Sequence, residues 1–171
     1  MRAVVLILGG TACLALAAPG SPRLMWNATA SVPIGFYQLS PPGTPAIHDL
    51  VVVAPDPKLA ALLARGGWLP RGVPLIKPVA AIAGQTVCRQ GQEITIDGRR
   101  AATALSVDGR SRALPRWSGC RTLRTDELLV LAPAFGSFDG RYFGPTQHAA
   151  VKALARPIWI PQGAVSIEPR R

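Results

Sequence analysis

Two side chains in this sequence are of a type and setting that could perform chemistry, a serine and a lysine. Ser31 lies in Asn27-Ala28-Thr29-Ala30-Ser31-Val32-Pro33-Ile34-Gly35-Phe36-Tyr37. Its small neighbours leave room for a peptide backbone, and Pro33 and Gly35 restrict and bend the chain that presents the hydroxyl. Taken alone, such a serine is more commonly a turn residue. It becomes a nucleophile only beside a base, most often a histidine oriented by a carboxylate. The two histidines, His48 before a strand and His148 in a polar stretch, do not support a triad, and there is no G-x-S-x-G elbow. The alternative base is a lysine whose burial disfavours the charged form. Of the three lysines, Lys77 alone has an apolar setting, between Leu75-Ile76 and Pro78-Val79-Ala80. Lys58 opens a helix and Lys152 follows a polar segment. The competing reading of Lys77 is a strand lysine whose stem snorkels to the surface.

The elements that must hold these two residues read as mainly β. Leu50 to Ala54 is a β-branched run bounded by turn residues, the pattern of a buried strand. Asp56-Pro57 starts one short helix with a face of Leu59, Leu62 and Leu63, ended by Gly66-Gly67. Leu75 to Ala83 is a strand that Pro74 and Pro78 assign to an edge or a bulge. Thr86 to Cys88 and Glu93 to Ile96 pair, with Asp97-Gly98 as the tight turn after them. Arg99 to Arg116 reads as an exposed excursion, Leu128 to Ala132 as a further strand, and Val151 to Ile160 as an alternating strand that closes the sheet.

A chain of 171 residues, 49% hydrophobic and 16% charged, suffices for one cored domain and is short for two. The 17 prolines and 17 glycines favour short strands and turns over a helical bundle. The net charge of +10 is almost wholly arginine, scattered through turns without interleaved aromatics, which argues against a nucleic-acid partner. A basic surface facing anionic lipid headgroups is the rival to a merely solvated one.

Residues 3–22 carry no charge and follow Arg2, the pattern of a membrane-targeting segment. Ala17-Ala18 would serve as a signal-peptide cleavage site. A retained anchor over 1–26 is preferred, because Leu24, Met25 and Trp26 extend the apolar character and tryptophan suits the membrane interface. Arg2 then stays inside and residues 27–171 form an outward-facing catalytic domain at a bacterial inner membrane. In that oxidising compartment Cys88 and Cys120 are expected to form a disulfide, against the alternative of two buried thiols. No Cys or His spacing supports zinc, and neither a metal nor a cofactor is expected.

Three separated stretches carry a resemblance. Ser31-Val32-Pro33-Ile34-Gly35, Lys77 to Gln85 and Ser137-Phe138-Asp139-Gly140-Arg141-Tyr142-Phe143-Gly144-Pro145 resemble, in order, the boxes of the type I signal peptidases. The serine box and the cysteine pair are most similar to the TraF branch, the conjugative-transfer maturation peptidases that process pilin precursors. The resemblance implies a signal-peptidase/LexA-like β-fold, with Ser31 as nucleophile and Lys77 as general base. It further implies that Thr29 joins the Ser31 amide in an oxyanion hole, that Ser137 helps orient Lys77, and that Asp139 and Arg141 form an ion pair beneath the site. The implied substrate is a pilin-like or signal-peptide-bearing precursor with small residues beside the cut. The implied associates are membrane lipid and components of a conjugation or type IV secretion system. The acyl group would pass to water or, in a cyclising transfer, to the substrate's own new amine. Two departures stand out: Gly140 replaces the family's usual serine, and the lysine box reads Lys-Pro-Val without a basic neighbour.

Three other readings compete with this one. A catalytically silent scaffold of a secretion or conjugation system would keep the fold. Self-cleaving Ser/Lys repressors share it too, but carry a DNA-binding module where this chain has its apolar segment. Asn27-Ala28-Thr29 matches a glycosylation acceptor, but a glycan there would block Ser31.

Overall fold

The computed structural model describes residues 24–161. Residues 3–22, on which the membrane segment was expected, lie outside them. Among the described residues no helix is long and apolar enough to cross a membrane.

The chain is mainly β. One sheet has seven strands in the order β1-β2-β11-β3-β4-β9-β10, formed by Leu24–Asn27, Gly35–Ser40, Val151–Trp159, Leu50–Val53, Leu75–Ala81, Glu127–Val130 and Thr146–Gln147. A second, four-stranded sheet runs β7-β6-β5-β8 through Arg99–Thr103, Glu93–Ile96, Thr86–Gln90 and Gly119–Thr122. All the strand pairs are antiparallel.

The unbroken valine run of β3 follows from its position. Val51 and Val53 enter one cluster with Leu75, Val79, Leu128 and Val130, whereas Val52 enters another with Val32, Tyr37 and Ile76. Both faces of the sheet are covered at its centre, so alternation between apolar and polar residues disappears there. A third cluster, including Ala81, Val87, Ile94 and Leu129, joins the two sheets. The helix α1, Pro57–Arg65, begins where Asp56 accepts from the Lys58 and Leu59 amides at 2.8 and 3.0 Å, and Gly66 caps its end. It packs inward through Leu63.

The structure departs from the sequence expectations at three places and decides between alternatives at a fourth. Leu24, Met25 and Trp26, assigned to the end of the anchor, form edge strand β1 and pair with Gln38, Tyr37 and Phe36. Of the three only Met25 packs against a core cluster, while Leu24 and Trp26, on the other face of the strand, stay exposed. Arg99 to Thr103, assigned to the exposed excursion, forms β7, because the Asp97-Gly98 turn brings it back along β6. Of the edge or bulge expected for β4, the bulge is found, between Val79 and Ala81, in a strand that lies between β3 and β9. Pro78 is accommodated there because its carbonyl side faces Leu131, just past the last residue of β9, so the absent N–H falls where the ladder has ended. The strand expected to close the sheet, β11, lies between β2 and β3.

The paired cysteines are bonded. Cys88 on β5 stands opposite Cys120 on β8, with Cα atoms 4.0 Å apart, and the bridge ties the end of the 104–118 loop to the four-stranded sheet. The loop is pinned at its other end by Asp108, which accepts from Trp68 Nε1 at 2.9 Å and from Arg112 Nε at 2.7 Å.

Candidate active site

Ser31 lies in the loop between β1 and β2, and nearly every residue of the surrounding motif has a local task. Asn27, buried at the end of β1, donates its side-chain amide to the carbonyls of Thr29, Val32 and Pro33 at 2.8, 3.1 and 3.0 Å. Its Oδ1 accepts from the Thr29 amide at 3.2 Å and the Thr29 hydroxyl at 3.0 Å. Tyr37, fully buried, donates its hydroxyl to Pro33 O at 2.6 Å. Gly35 is required by close approach: a Cβ there would lie 2.3 Å from the Trp159 carbonyl oxygen. The loop is thus closed on itself by one asparagine and fixed to the sheet by one tyrosine. Asn27 is the residue that sequence reasoning treated only as part of a glycosylation match. The signal available was the aptitude of asparagine for bonding to backbone one turn onward.

Lys77 projects from the centre of β4 and is 2% exposed. Its ammonium is turned inward onto the buried Ser137 hydroxyl, so the stem does not snorkel to the surface. Burial lowers its ammonium pKa from 10.5 to about 8; Asp139 opposes that shift and Arg141 adds to it. Lys77 Nζ donates to Ser137 Oγ at 2.8 Å, and Ser137 Oγ donates to Ser31 Oγ at 3.1 Å. Three side chains from three separate segments therefore meet in one hydrogen-bonded row.

The loop carrying Ser137 is held from below. Asp139 is fully buried and caps the short helix α2, Gly140–Phe143. One carboxylate oxygen accepts from the Arg141 side chain at 2.8 Å and the Arg141 amide at 3.1 Å, and the other accepts from the Ala132 amide at 2.8 Å. Burial pushes the Asp139 carboxyl above its ordinary range, opposed by the Arg141 guanidinium and these amides. Arg141 also donates to the carbonyls of Ala132 and Ala134, and buried Arg89 donates to the Arg141 carbonyl. Phe138 stacks between Trp68 and Tyr142, each with its centroid 5.2 Å away. Gly140, where the resemblance leads one to expect serine, sits against β9: a Cβ would come within 2.7 Å of the Val130 carbonyl oxygen and of Leu129. The glycine is a packing requirement of this chain.

Two cavities flank the row. One of about 200 Å³ is lined by Ala30, Ser31, Val32, Pro33, Leu50, Pro78, Pro133 and Ala134. The other, about 170 Å³, includes Asn27, Ala28, Thr29, Leu75, Ile76 and Lys77. A larger cleft, about 780 Å³, lies between α1 and the β10–β11 region and contains none of these groups. Thr29 is exposed at the second cavity with its hydroxyl proton directed to Asn27.

Comparison with known proteins gives the family. The family model described as signal peptidase, peptidase S26, matches residues 1–160. The chain belongs to that family. A probable conjugal transfer protein TraF of Sinorhizobium fredii is 34% identical, over 89% of this chain and 88% of its own length. A conjugal transfer protein TraF of Agrobacterium tumefaciens is also 34% identical, over 92% of this chain and 96% of its own. A plasmid transfer protein TraF of Escherichia coli is 28% identical over 89% and 92%. Among solved structures, a signal peptidase I of Enterococcus faecalis is 18% identical with a TM-score of 0.37, covering 65% of this chain and 96% of that one.

Proposed function

We propose that this protein is a membrane-anchored serine endopeptidase that cleaves signal or pro-segments from exported or pilin-like precursors in conjugative transfer. Residues 1–23 would anchor it in the bacterial inner membrane, with the catalytic domain on the periplasmic face. The observation that carries the reading is Lys77, a buried amine held at about 8 and joined through one hydroxyl to Ser31. At pH 7 about a tenth of such amines are neutral, about 300-fold more than for an ordinary lysine. That is the property a general base needs.

The neutral Lys77 accepts the proton as Ser31 Oγ attacks a peptide carbonyl. The developing oxyanion is held by the Ser31 amide and the Thr29 hydroxyl, whose proton swings from Asn27 while the Thr29 amide keeps the Asn27 contact. Asp139 and Arg141 hold the floor of the site. The flanking cavities, small and largely apolar, favour small side chains beside the scissile bond. The acyl-enzyme is released to water, or to the precursor's own amine with cyclisation.

Support for membrane attachment comes from an exposed aromatic facet. Trp26, Phe36 and Trp159 are 45%, 43% and 53% exposed, with centroids 4.9 to 6.2 Å apart, at the edge of the sheet where residue 24 enters. The family relatives named for conjugal and plasmid transfer support the place of action.

Processing of a co-expressed pilin precursor tests the reading by intact mass. Ser31→Ala and Lys77→Ala are each expected to abolish cleavage, and wild-type activity should rise with pH through about 8 as Lys77 loses its proton. Normal processing or normal transfer with Ser31→Ala would favour a silent scaffold. A linear product means hydrolysis, whereas loss of one further water means cyclisation.

A further inference from the structure

The cleft of about 780 Å³ between α1 and the β10–β11 region takes no part in the chemistry proposed for Ser31. The helix face expected from the sequence, Leu59, Leu62 and Leu63, divides there. Leu63 is buried in the fold, whereas Leu59 and Leu62 are only half-buried and line the cleft, together with half-buried Phe143. Lys58, Arg65 and Lys152 line it too, two of the chain's three lysines among them. All three are exposed, and among the described residues none of them forms a salt bridge. The one carboxylate of the lining, on Asp56, is occupied by the Lys58 and Leu59 amides at the start of α1. Thr146 supplies an independent sign. It lines the cleft at 6% exposure, and its Oγ1 has no hydrogen-bond partner among the described residues. A buried hydroxyl left so is costly, and a ligand in the cleft can supply the missing partner.

We propose that this cleft is a docking site for an acidic, apolar peptide segment of a partner protein, separate from the active site and independent of the peptidase reading. Apolar side chains of the segment cover Leu59, Leu62 and Phe143, and its carboxylates pair with Lys58, Arg65 and Lys152 around them, the usual division of an interface into apolar core and polar rim. Its backbone offers the hydrogen-bond partner that the Thr146 hydroxyl lacks. A second copy of this chain is a poor occupant, because each copy carries a net charge of +10. Lipid is disfavoured by position. Lys152 stands near the start of β11 and Trp159 at its end, about 23 Å further along the strand. Trp159 belongs, with Trp26 and Phe36, to the facet assigned to the bilayer. The cleft is thus a surface apart from the one proposed for lipid, which favours a protein occupant over a headgroup.

The test pans a phage library of random dodecapeptides against the full chain held in phosphatidylcholine nanodiscs. Enriched sequences are expected to combine Asp or Glu with Leu, Ile or Phe. Made as free labelled peptides, they should bind the double variant Lys58→Glu with Lys152→Glu at least about tenfold more weakly than wild type. Their affinity for wild type should also fall as salt rises. Both lysines are exposed, and a carboxylate in the first turn of α1 suits its N-terminus, so the double variant should melt with wild type. Leu62→Ser, which keeps every charge, should weaken the same peptides, and it decides the matter alone if the double variant melts lower. A twin of the best peptide with Lys in place of its acidic residues should prefer the double variant to wild type. The proposal is overturned if nothing enriches, if the enriched sequences carry no acidic residues, or if wild type and both variants bind them equally. It is also overturned if no peptide enriches while phosphatidylglycerol vesicles bind wild type and not the double variant, which would make the cleft a lipid site. Ser31→Ala should bind the peptides as wild type does, so failure of the peptidase reading leaves this result untouched.

Discussion

The burial of Lys77 costs the fold stability. An unfolded chain keeps this proton up to about 10.5, whereas the folded protein releases it near 8. Between those values the unfolded state binds more protons, so stability rises with pH through that window and the full penalty applies below it. The penalty is about 3 kcal/mol. Lys77→Met, similar in volume, is therefore expected to stabilise the protein by about 1–3 kcal/mol at pH 7 while abolishing catalysis. Urea unfolding at pH 7 and at pH 10.5 checks it, and the gain should largely vanish at the higher pH. The burial of Lys77 was one of two readings its apolar neighbours allowed, the other being a stem that snorkels to the surface, and the structure decided between them. Asn27 was not legible in the same way. Its five hydrogen bonds depend on where the loop turns, and an asparagine in a sequence does not announce which carbonyls will surround it.

At the scale of elements, the short helix α2 and strand β9 are pressed together at Gly140. Gly140→Ser, which restores the residue usual in the family, should destabilise this chain by about 1–3 kcal/mol by overpacking against the Val130 carbonyl and Leu129. Thermal unfolding measures it, and a neutral or stabilising result would mean that β9 yields readily. Strand types were readable where composition was decisive. The valines of β3, the Asp-Pro start of α1 and the Asp-Gly turn after β6 all behave as their local chemistry dictates. Strand positions were not, and Pro78 shows why. Proline excludes a hydrogen bond on one side at one residue, a condition met either by an edge or by an interior strand whose neighbour stops in time.

For the whole molecule, the chain enters the fold at β1 beside Trp26, Phe36 and Trp159, while Ser31 follows directly on the same hairpin. A membrane at that edge would hold the site a few residues from the bilayer surface, where a precursor's cleavage site emerges. In liposomes containing brominated lipid, the full chain should show quenched tryptophan fluorescence. Trp26→Tyr with Trp159→Tyr should remove most of that quenching, since Trp68 and Trp117 lie elsewhere in the fold. Quenching unchanged by the pair would place the aromatic facet away from lipid.

What the sequence alone determined is the set of chemical partners: a serine among small residues, a lysine among apolar ones, a box around Asp139 and Arg141, and two cysteines destined for each other. Residue type and local neighbours suffice for that, because propensity and desolvation are short-range properties. Only the tertiary structure decided their geometry. It brought Ser137 between Ser31 and Lys77, 106 and 60 positions away in sequence, and turned three apolar residues from anchor to edge strand. Those outcomes depend on which strands become neighbours and how their registers fall, a choice made by the packing of distant segments that no single segment contains.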